Sequence, residues 1–262
     1  MEKNKRKRYV TKDPIDKNSP TKYLTIKERR RKLQARQRRN TILLLLAAVL
    51  VIVGLFSFNS IKLALTPVGE FTRITPVAWP QPDGRTLGSP TAPVKIEVYE
   101  DFQCPMCQLF TKEFEPKIIS TYVETGQVYY IFRQFAFIDQ LSVTKESQQS
   151  ANASMCAAEQ NRFWDYHDIV YTNWNGENLG SLTDKKLVAF AESLNFDMVK
   201  FKQCFNDNRY KSDIAADLQE GKAVGVTGTP SVAINGQLLN VGKNVPTFDD
   251  IKKAVEAILA NQ

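Results

Sequence analysis

No charged residue stands between Arg39 and Lys62 in this chain of 262 residues. Inside that gap, residues 42 to 58 read I-L-L-L-L-A-A-V-L-V-I-V-G-L-F-S-F. A bilayer offers no water to satisfy backbone polar groups, and a helix of roughly 17–25 apolar residues satisfies its own. Helices of soluble domains keep a polar face, and this run has none. Residues 41–61 are therefore expected to form one transmembrane helix.

Charge then sets the expected orientation. The chain carries +7 overall, but residues 1–40 hold sixteen Lys/Arg against Glu2, Asp13, Asp16 and Glu28, a net +12, so the rest carries 7 − 12 = −5. A basic tail suits nucleic acid or the cytoplasmic flank of a span. The adjoining apolar run favours the flank, so no nucleic-acid partner is expected. The cluster R-R-R-K-L-Q-A-R-Q-R-R at 29 to 39 abuts the span, and Lys62 stands alone beyond it. The positive-inside rule makes 1–40 a basic cytoplasmic tail and sends everything after the span outside. A cleaved signal peptide has a shorter basic region and a clear small-residue site, so a retained anchor in the cell membrane is expected. Residues 62–93, with Pro67, Pro76, Pro80, Pro82, Pro90 and Pro93, read as an extracytoplasmic linker.

Outside the cytoplasm, thiols can be oxidised and stay so. That matters for D-F-Q-C-P-M-C at 101 to 107. Before it, V-K-I-E-V-Y alternates as a strand, with Val94, Ile96 and Val98 on one face. After it, Leu109, Phe110, Phe114, Ile118 and Tyr122 recur at helical spacing, with Pro105 suited to the first turn and Pro116 expected to kink the helix. A turn at Thr125–Gly126 leads to a second strand, Q-V-Y-Y-I-F-R-Q-F. Cys104 is thus placed at a helix N-terminus, where unpaired N–H groups and the helix dipole favour a thiolate. A thiol so placed can fall from about 8.5 to roughly 3.5–7.5. Cys107, one turn in, is expected to be more buried and less acidic. Zinc would need a second ligand pair. Cys156 and Cys204 are far apart in sequence and His167 is the only histidine, so no metal is expected.

The strand, C-P-M-C and the downstream segment G-V-T-G-T-P-S-V-A-I-N-G at 225 to 236 resemble the thioredoxin fold, and more narrowly the DsbA-like thiol:disulfide oxidoreductases. L-G-S-P-T-A-P-V before the strand and N-R-F-W-D-Y-H-D in the middle extend the resemblance over roughly 85 to 260. It implies an α/β thioredoxin fold over 94–262, with a helical insertion about 142–225. It also implies a cis Pro230 preceded by Thr229, facing the cysteines and leaving a backbone edge for the substrate chain. Some relatives carry a buried acid six residues before the first cysteine, a position held here by Val98. Glu97 should point to the other face, while Glu100 and Asp101 lie nearer the site, and Asp101 is the candidate for a proton-handling or structural role. Met106 cannot stabilise the Cys104 thiolate as a histidine would, so a less extreme oxidant is expected.

Helical periodicity covers 146 to 174, 183 to 194, 197 to 208 and 209 to 223. The end reads as a strand 231 to 235, a tight turn at Asn235–Gly236, a strand 237 to 241 and a helix 247 to 260. Cys156 and Cys204 could be two buried free thiols, a structural disulfide between helices, or a second redox centre. The even cysteine count outside the cytoplasm favours the disulfide, and the resemblance supports it. His167, Phe163, Trp164, Tyr166, Tyr171 and Trp174 read as packing residues.

The expected function is a membrane-anchored oxidoreductase that introduces disulfides into folding secreted proteins. Cys104 and Cys107 would be catalytic, with Pro105, Met106, Thr229, Pro230 and Asp101 as support. The redox disulfide would serve with no further cofactor, and a quinone-linked membrane partner would reoxidise it. A reductase or isomerase of the same fold, or a chaperone or assembly factor that ignores the redox pair, are the alternatives.

Overall fold

The computed structural model describes residues 26–65, 67–141, 144–242 and 245–261. The chain divides into two compact units, Met1–Pro67 and Val68–Gln262. The first twenty-five residues of the expected basic tail lie outside the described residues.

In the first unit, α1 (Ile26–Leu65) joins the basic cluster and the apolar run in one helix. No proline or glycine interrupts it before Gly54. Residues Ile26–Gly54 include a window of mean hydropathy 1.5, none of it buried, long and apolar enough to cross a membrane. The helix is longer than the expected 41–61 at both ends, because the Arg- and Lys-rich stretch is itself made of good helix formers.

The second unit begins well before residue 94, which corrects the expected linker. Phe71 meets Phe190 edge to face at 5.1 Å between ring centroids, and Trp79 lies 5.3 Å from Trp164. Thr72 and Asn173 exchange two hydrogen bonds, at 2.7 and 2.8 Å. The prolines keep this segment extended, but the aromatic residues between them find apolar surface, and burying such a side chain contributes about 1.5–3 kcal/mol. Next, β1 (Thr86–Leu87) joins the sheet antiparallel to β3.

The sheet, among the described residues, has the order β1-β3-β2-β4-β5. At its centre β2 (Val94–Glu100) runs parallel to β3 (Val128–Gln134), from Val94 opposite Val128 to Glu100 opposite Gln134. A parallel pair needs a crossover. It is made by α2 (Pro105–Glu113), α3 (Glu115–Ile118) and a π-helical turn over Ile119–Val123. The expected kink falls at Phe114 (φ −116°, ψ −43°), and Pro116 sits in the first turn of α3, where a missing N–H costs nothing.

The insertion between β3 and β4 holds α4 (Glu146–Ala158), α5 (Phe163–Asn173), α6 (Asp184–Ser193), α7 (Met198–Asn206) and α8 (Lys211–Ala223). The single helix read over 146–174 is two. Asn161 takes a left-handed φ of 53°, and the Arg162 N–H turns back to Ala157 O at 3.1 Å, the kind of stop that Asn tolerates without glycine. Asp217 of α8 fastens the insertion to the sheet: it accepts from the Gln134 N–H at 3.0 Å and pairs with Arg85 and Arg133. The chain then returns as β4 (Ser231–Ile234), antiparallel to β2, turns at Asn235–Gly236 with positive φ at both, and forms β5 (Gln237–Leu238). Last comes α9 (Phe248–Leu259), opened by a capping box between Thr247 and Asp250. This topology is the thioredoxin fold with a helical insertion that the resemblance implies.

Candidate redox site

The chain leaves β2 at Glu100 and turns at once through Asp101, whose carboxylate shapes the loop leading into α2. It accepts the N–H of Gln103 at 2.9 Å, of Phe137 at 2.9 Å and of Ile138 at 3.1 Å. The loop before α2 is thereby tied to the loop after β3. Cys104 is the extended N-cap residue of α2 (φ −79°, ψ 124°), with Pro105 as the first helical residue. The N–H of Cys107 and of Gln108 both return to Cys104 O, at 3.1 and 3.2 Å.

Both sulfurs of the pair are free thiols, and their surroundings differ. Cys104 keeps 7% of its surface exposed, Cys107 none. The Cys104 thiol is pushed down to about 6, first by the Cys107 thiol, then by the Thr229 side chain and the backbone N–H groups of Cys107 and Met106, all against burial. The Cys107 thiol goes well above its ordinary value, chiefly through burial, with Cys104 and Glu100 adding to it. Opposite Cys104, the Thr229–Pro230 peptide is cis, and the Cys104 thiol donates to Thr229 O at 3.3 Å. Met106 is 37% exposed beside them.

The carboxylate next to Cys107 belongs to Glu100, not to Asp101. Glu100 is fully buried and in contact with Cys107 and Thr111, and its Oε2 accepts from the Tyr171 hydroxyl at 2.8 Å. Burial pushes its carboxyl up to about 8, and charge on Cys104 adds to that. Asp101, held by its three backbone N–H donors, is pushed by burial to about 6. A second buried carboxyl, Glu115, accepts from the Tyr130 hydroxyl at 2.9 Å and is pushed up to about 8 by burial. His167 lies 3.9 Å from it, fully buried among Phe102, Phe132, Phe163, Trp164 and Tyr171. Burial lowers His167, but Glu115 and Asp168 outweigh it and hold it above its ordinary value. Glu97, on the other face of β2, pairs with Arg133 and Lys95.

Cys156 of α4 and Cys204 of α7 form a disulfide, Cα–Cα 5.8 Å, with both residues almost wholly buried. It makes no contact with Cys104 or Cys107 among the hydrogen bonds of the described residues.

Known proteins are similar to this chain. The thioredoxin family model matches residues 81–257. A probable disulfide bond formation protein D of Bacillus cereus is 27% identical over 212 residues, 79% of this chain and 90% of that protein. The disulfide bond formation protein D of Bacillus subtilis is 24% identical over 173 residues, 65% of this chain and 74% of that one. Among solved structures, oxidised BdbD of Bacillus subtilis superposes with a TM-score of 0.60 at 23% identity, covering 71% of this chain and all of that one. DsbA of Chlamydia trachomatis gives 0.57 at 24% identity, covering 74% and 99%.

Proposed function

The chain belongs to the thioredoxin family, as a DsbA-like protein thiol:disulfide oxidoreductase, and we propose that it works in the oxidising direction on proteins outside the cytoplasm. The observation that carries this reading is the asymmetry of the pair: a Cys104 thiol that keeps a little exposed surface and is pushed down to about 6, backed by a fully buried Cys107 pushed up. A low thiol pKa stabilises the reduced pair and makes its disulfide the better oxidant.

In the working disulfide Cys104–Cys107, a substrate thiolate attacks the Cys104 sulfur. The S–S bond breaks, Cys107 takes the electron pair, and substrate and Cys104 are joined. A second substrate thiolate then attacks the substrate sulfur and Cys104 leaves as thiolate. Two electrons pass from two substrate thiols to the cysteine pair, so neither metal nor organic cofactor is required. The Thr229–Pro230 edge, 3.3 Å from Cys104, is where an extended substrate backbone would lie during the joined stage.

The reduced pair must be reoxidised, and a quinone-linked membrane protein is the partner this reading calls for. Folding secreted proteins with free thiols are its substrates. The apolar helix and the basic cluster before it support a single-pass anchor with the tail in the cytoplasm and the redox domain outside.

The test is the reduction potential of the full chain in detergent, with the redox state of Cys104 and Cys107 trapped in cells. An oxidant should lie above about −200 mV and be found mainly as the disulfide. A potential near that of thioredoxin, about −270 mV, with a reduced pair in cells, would refute the oxidising direction.

A further inference from the structure

Two glutamines flank C-P-M-C, and both reach the same loop. Gln108, just after Cys107, donates to the carbonyls of Tyr171 at 2.6 Å and Trp174 at 3.4 Å. Gln103, just before Cys104, accepts from the Asn178 N–H at 2.6 Å and donates back to Asn178 Oδ1 at 3.4 Å. The connection between α5 and α6, residues 174–183, is thereby held along one flank of the redox motif. Gln103 is fully buried, and its amide also donates to Asp139 at 2.9 Å and to Ser147 at 3.0 Å. The Thr144 hydroxyl donates to Asn178 Oδ1, and Glu146 accepts the Gly180 and Leu182 N–H groups, each at 2.9 Å. A loop tied at so many points has little freedom left to lose when something binds to it.

Leu179 stands on this mount with 72% of its surface exposed. Its side chain lies over Gly176, where a Cβ would come within 2.5 Å of Leu179 Cδ1. The loop makes room for the leucine by carrying no side chain there. Asn178 and Gly180, on either side, take left-handed φ of 56° and 79° and so turn the backbone around it. A single exposed leucine is ordinary on a protein surface. What sets this one apart is that it comes one residue after the anchor at Gln103. The bonded path from Cys104 Cα through Gln103 and Asn178 to Leu179 Cα is at most about 16 Å, the span of about five extended residues.

We propose that Leu179 is a specificity-determining residue, receiving an apolar side chain that stands within about five residues of the substrate cysteine. This rests on the thiol-exchange reading above. While a substrate is joined to Cys104, its chain is pinned at one point, and an apolar side chain reaching Leu179 removes both from water. The loop is fixed before the substrate arrives, so the contact costs little ordering. Binding made away from the reacting sulfur raises kcat/KM for the chains that can make it. The favoured class is an extended chain with a Leu, Ile, Val, Met or Phe near its cysteine. Such side chains are exposed before a protein folds and hidden afterwards, so the contact selects chains that have not yet folded.

The test uses the full chain in detergent, oxidised, with glutathione and a set of Gly/Ser peptides as probes. Each peptide has one cysteine and one leucine, the leucine at a different place within about five residues on either side. Every opening rate is expressed per thiolate and divided by the glutathione rate of the same variant. In the wild type, leucine in at least one place should raise this ratio at least about fivefold over serine in that place. Leu179→Ser should bring the ratio down to that of the serine peptide. Leu179→Met should keep most of it, because methionine offers similar apolar surface. Leu179 is mostly exposed, so both variants should fold as the wild type does. A wild type indifferent to the leucine in every place would overturn the assignment. A preference that survives Leu179→Ser would also overturn it and would belong to Met106 and Leu109 of α2, which are 37% and 41% exposed. Either result leaves the exchange reading intact. A wild-type chain inert to glutathione and to every peptide would overturn the exchange reading and this assignment with it.

Discussion

Cys104 and Cys107 are joined by a 3.1 Å hydrogen bond from the Cys107 N–H to Cys104 O, yet their thiols are pushed in opposite directions. The helix end and the Cys107 thiol favour a negative charge on Cys104; burial forbids one on Cys107. The first prediction rests on that contrast. In the reduced protein, alkylation of Cys104 should reach half its maximal rate near pH 6, the value to which the thiol is pushed. Cys107→Ala should move that midpoint upward, because the Cys107 thiol is the foremost group holding it down. A wild-type midpoint at the free-thiol value of about 8.5 would refute the activated thiol.

The second prediction concerns pH and stability. Burial pushes Glu100 and Glu115 up to about 8 and Asp101 to about 6. In the unfolded chain all three titrate near 4. Between those limits the native state keeps protons that the unfolded chain has released. Stability is thus fully present below the unfolded pKa and lost as pH rises through the folded ones. His167, also raised, acts in the same direction. Urea unfolding of the oxidised protein, in which the Cys104 thiolate plays no part, should show the midpoint falling from about pH 5 to about pH 8. Each group contributes at most about 1.4 kcal/mol per pH unit. Glu115→Gln should flatten the fall, and a midpoint independent of pH would contradict the buried protons.

Thirdly, the Cys156–Cys204 bond ties α4 to α7 and is almost wholly buried. Replacing both residues by alanine should cost about 2–5 kcal/mol of stability and lower the thermal midpoint, while per-molecule thiol exchange stays near wild type. In graded glutathione, mass spectrometry should find this pair still bonded after Cys104–Cys107 has opened. Both pairs opening together would point instead to a two-centre relay.

The fourth prediction separates two acids that are neighbours in sequence. Asp101 holds three backbone N–H groups. Asp101→Ala should destabilise the protein by about 1–3 kcal/mol for each donor left buried and unpaired, read from urea unfolding. The Cys104 alkylation midpoint should hardly move. A midpoint displaced by a full pH unit with unchanged stability would return a proton-handling role to Asp101.

Much of this site was legible because it is local. Pro105 after Cys104, a strand before and apolar residues at helical spacing after are enough to place a thiol at a helix end. Glu100 was within reach of the same reasoning. The alternation of Val94, Ile96 and Val98, continued by two residues, puts a carboxyl on the buried face of β2. What the alternation cannot supply is its neighbours: Tyr171 lies 71 residues further on. The segment 68–93 misled because its prolines dominate the pattern, although Phe71 and Trp79 between them were apolar enough to demand cover. The break at Asn161 was hidden for a related reason. The apolar period runs on across α4 and α5, and a single left-handed residue ends a helix without disturbing it.

The carbonyl opposite Cys104 has one more consequence, and it concerns time. A chain made from its N-terminus delivers Cys104 and Cys107 first, then Cys156, then Cys204, and Thr229 only 125 residues after Cys104. Through all that interval the thiols exist without the edge that faces them. A product that stops at residue 225 would carry every cysteine of the protein and no β4, and so no Thr229 carbonyl to face Cys104. Completion of the last short hairpin is what sets a fixed carbonyl against Cys104.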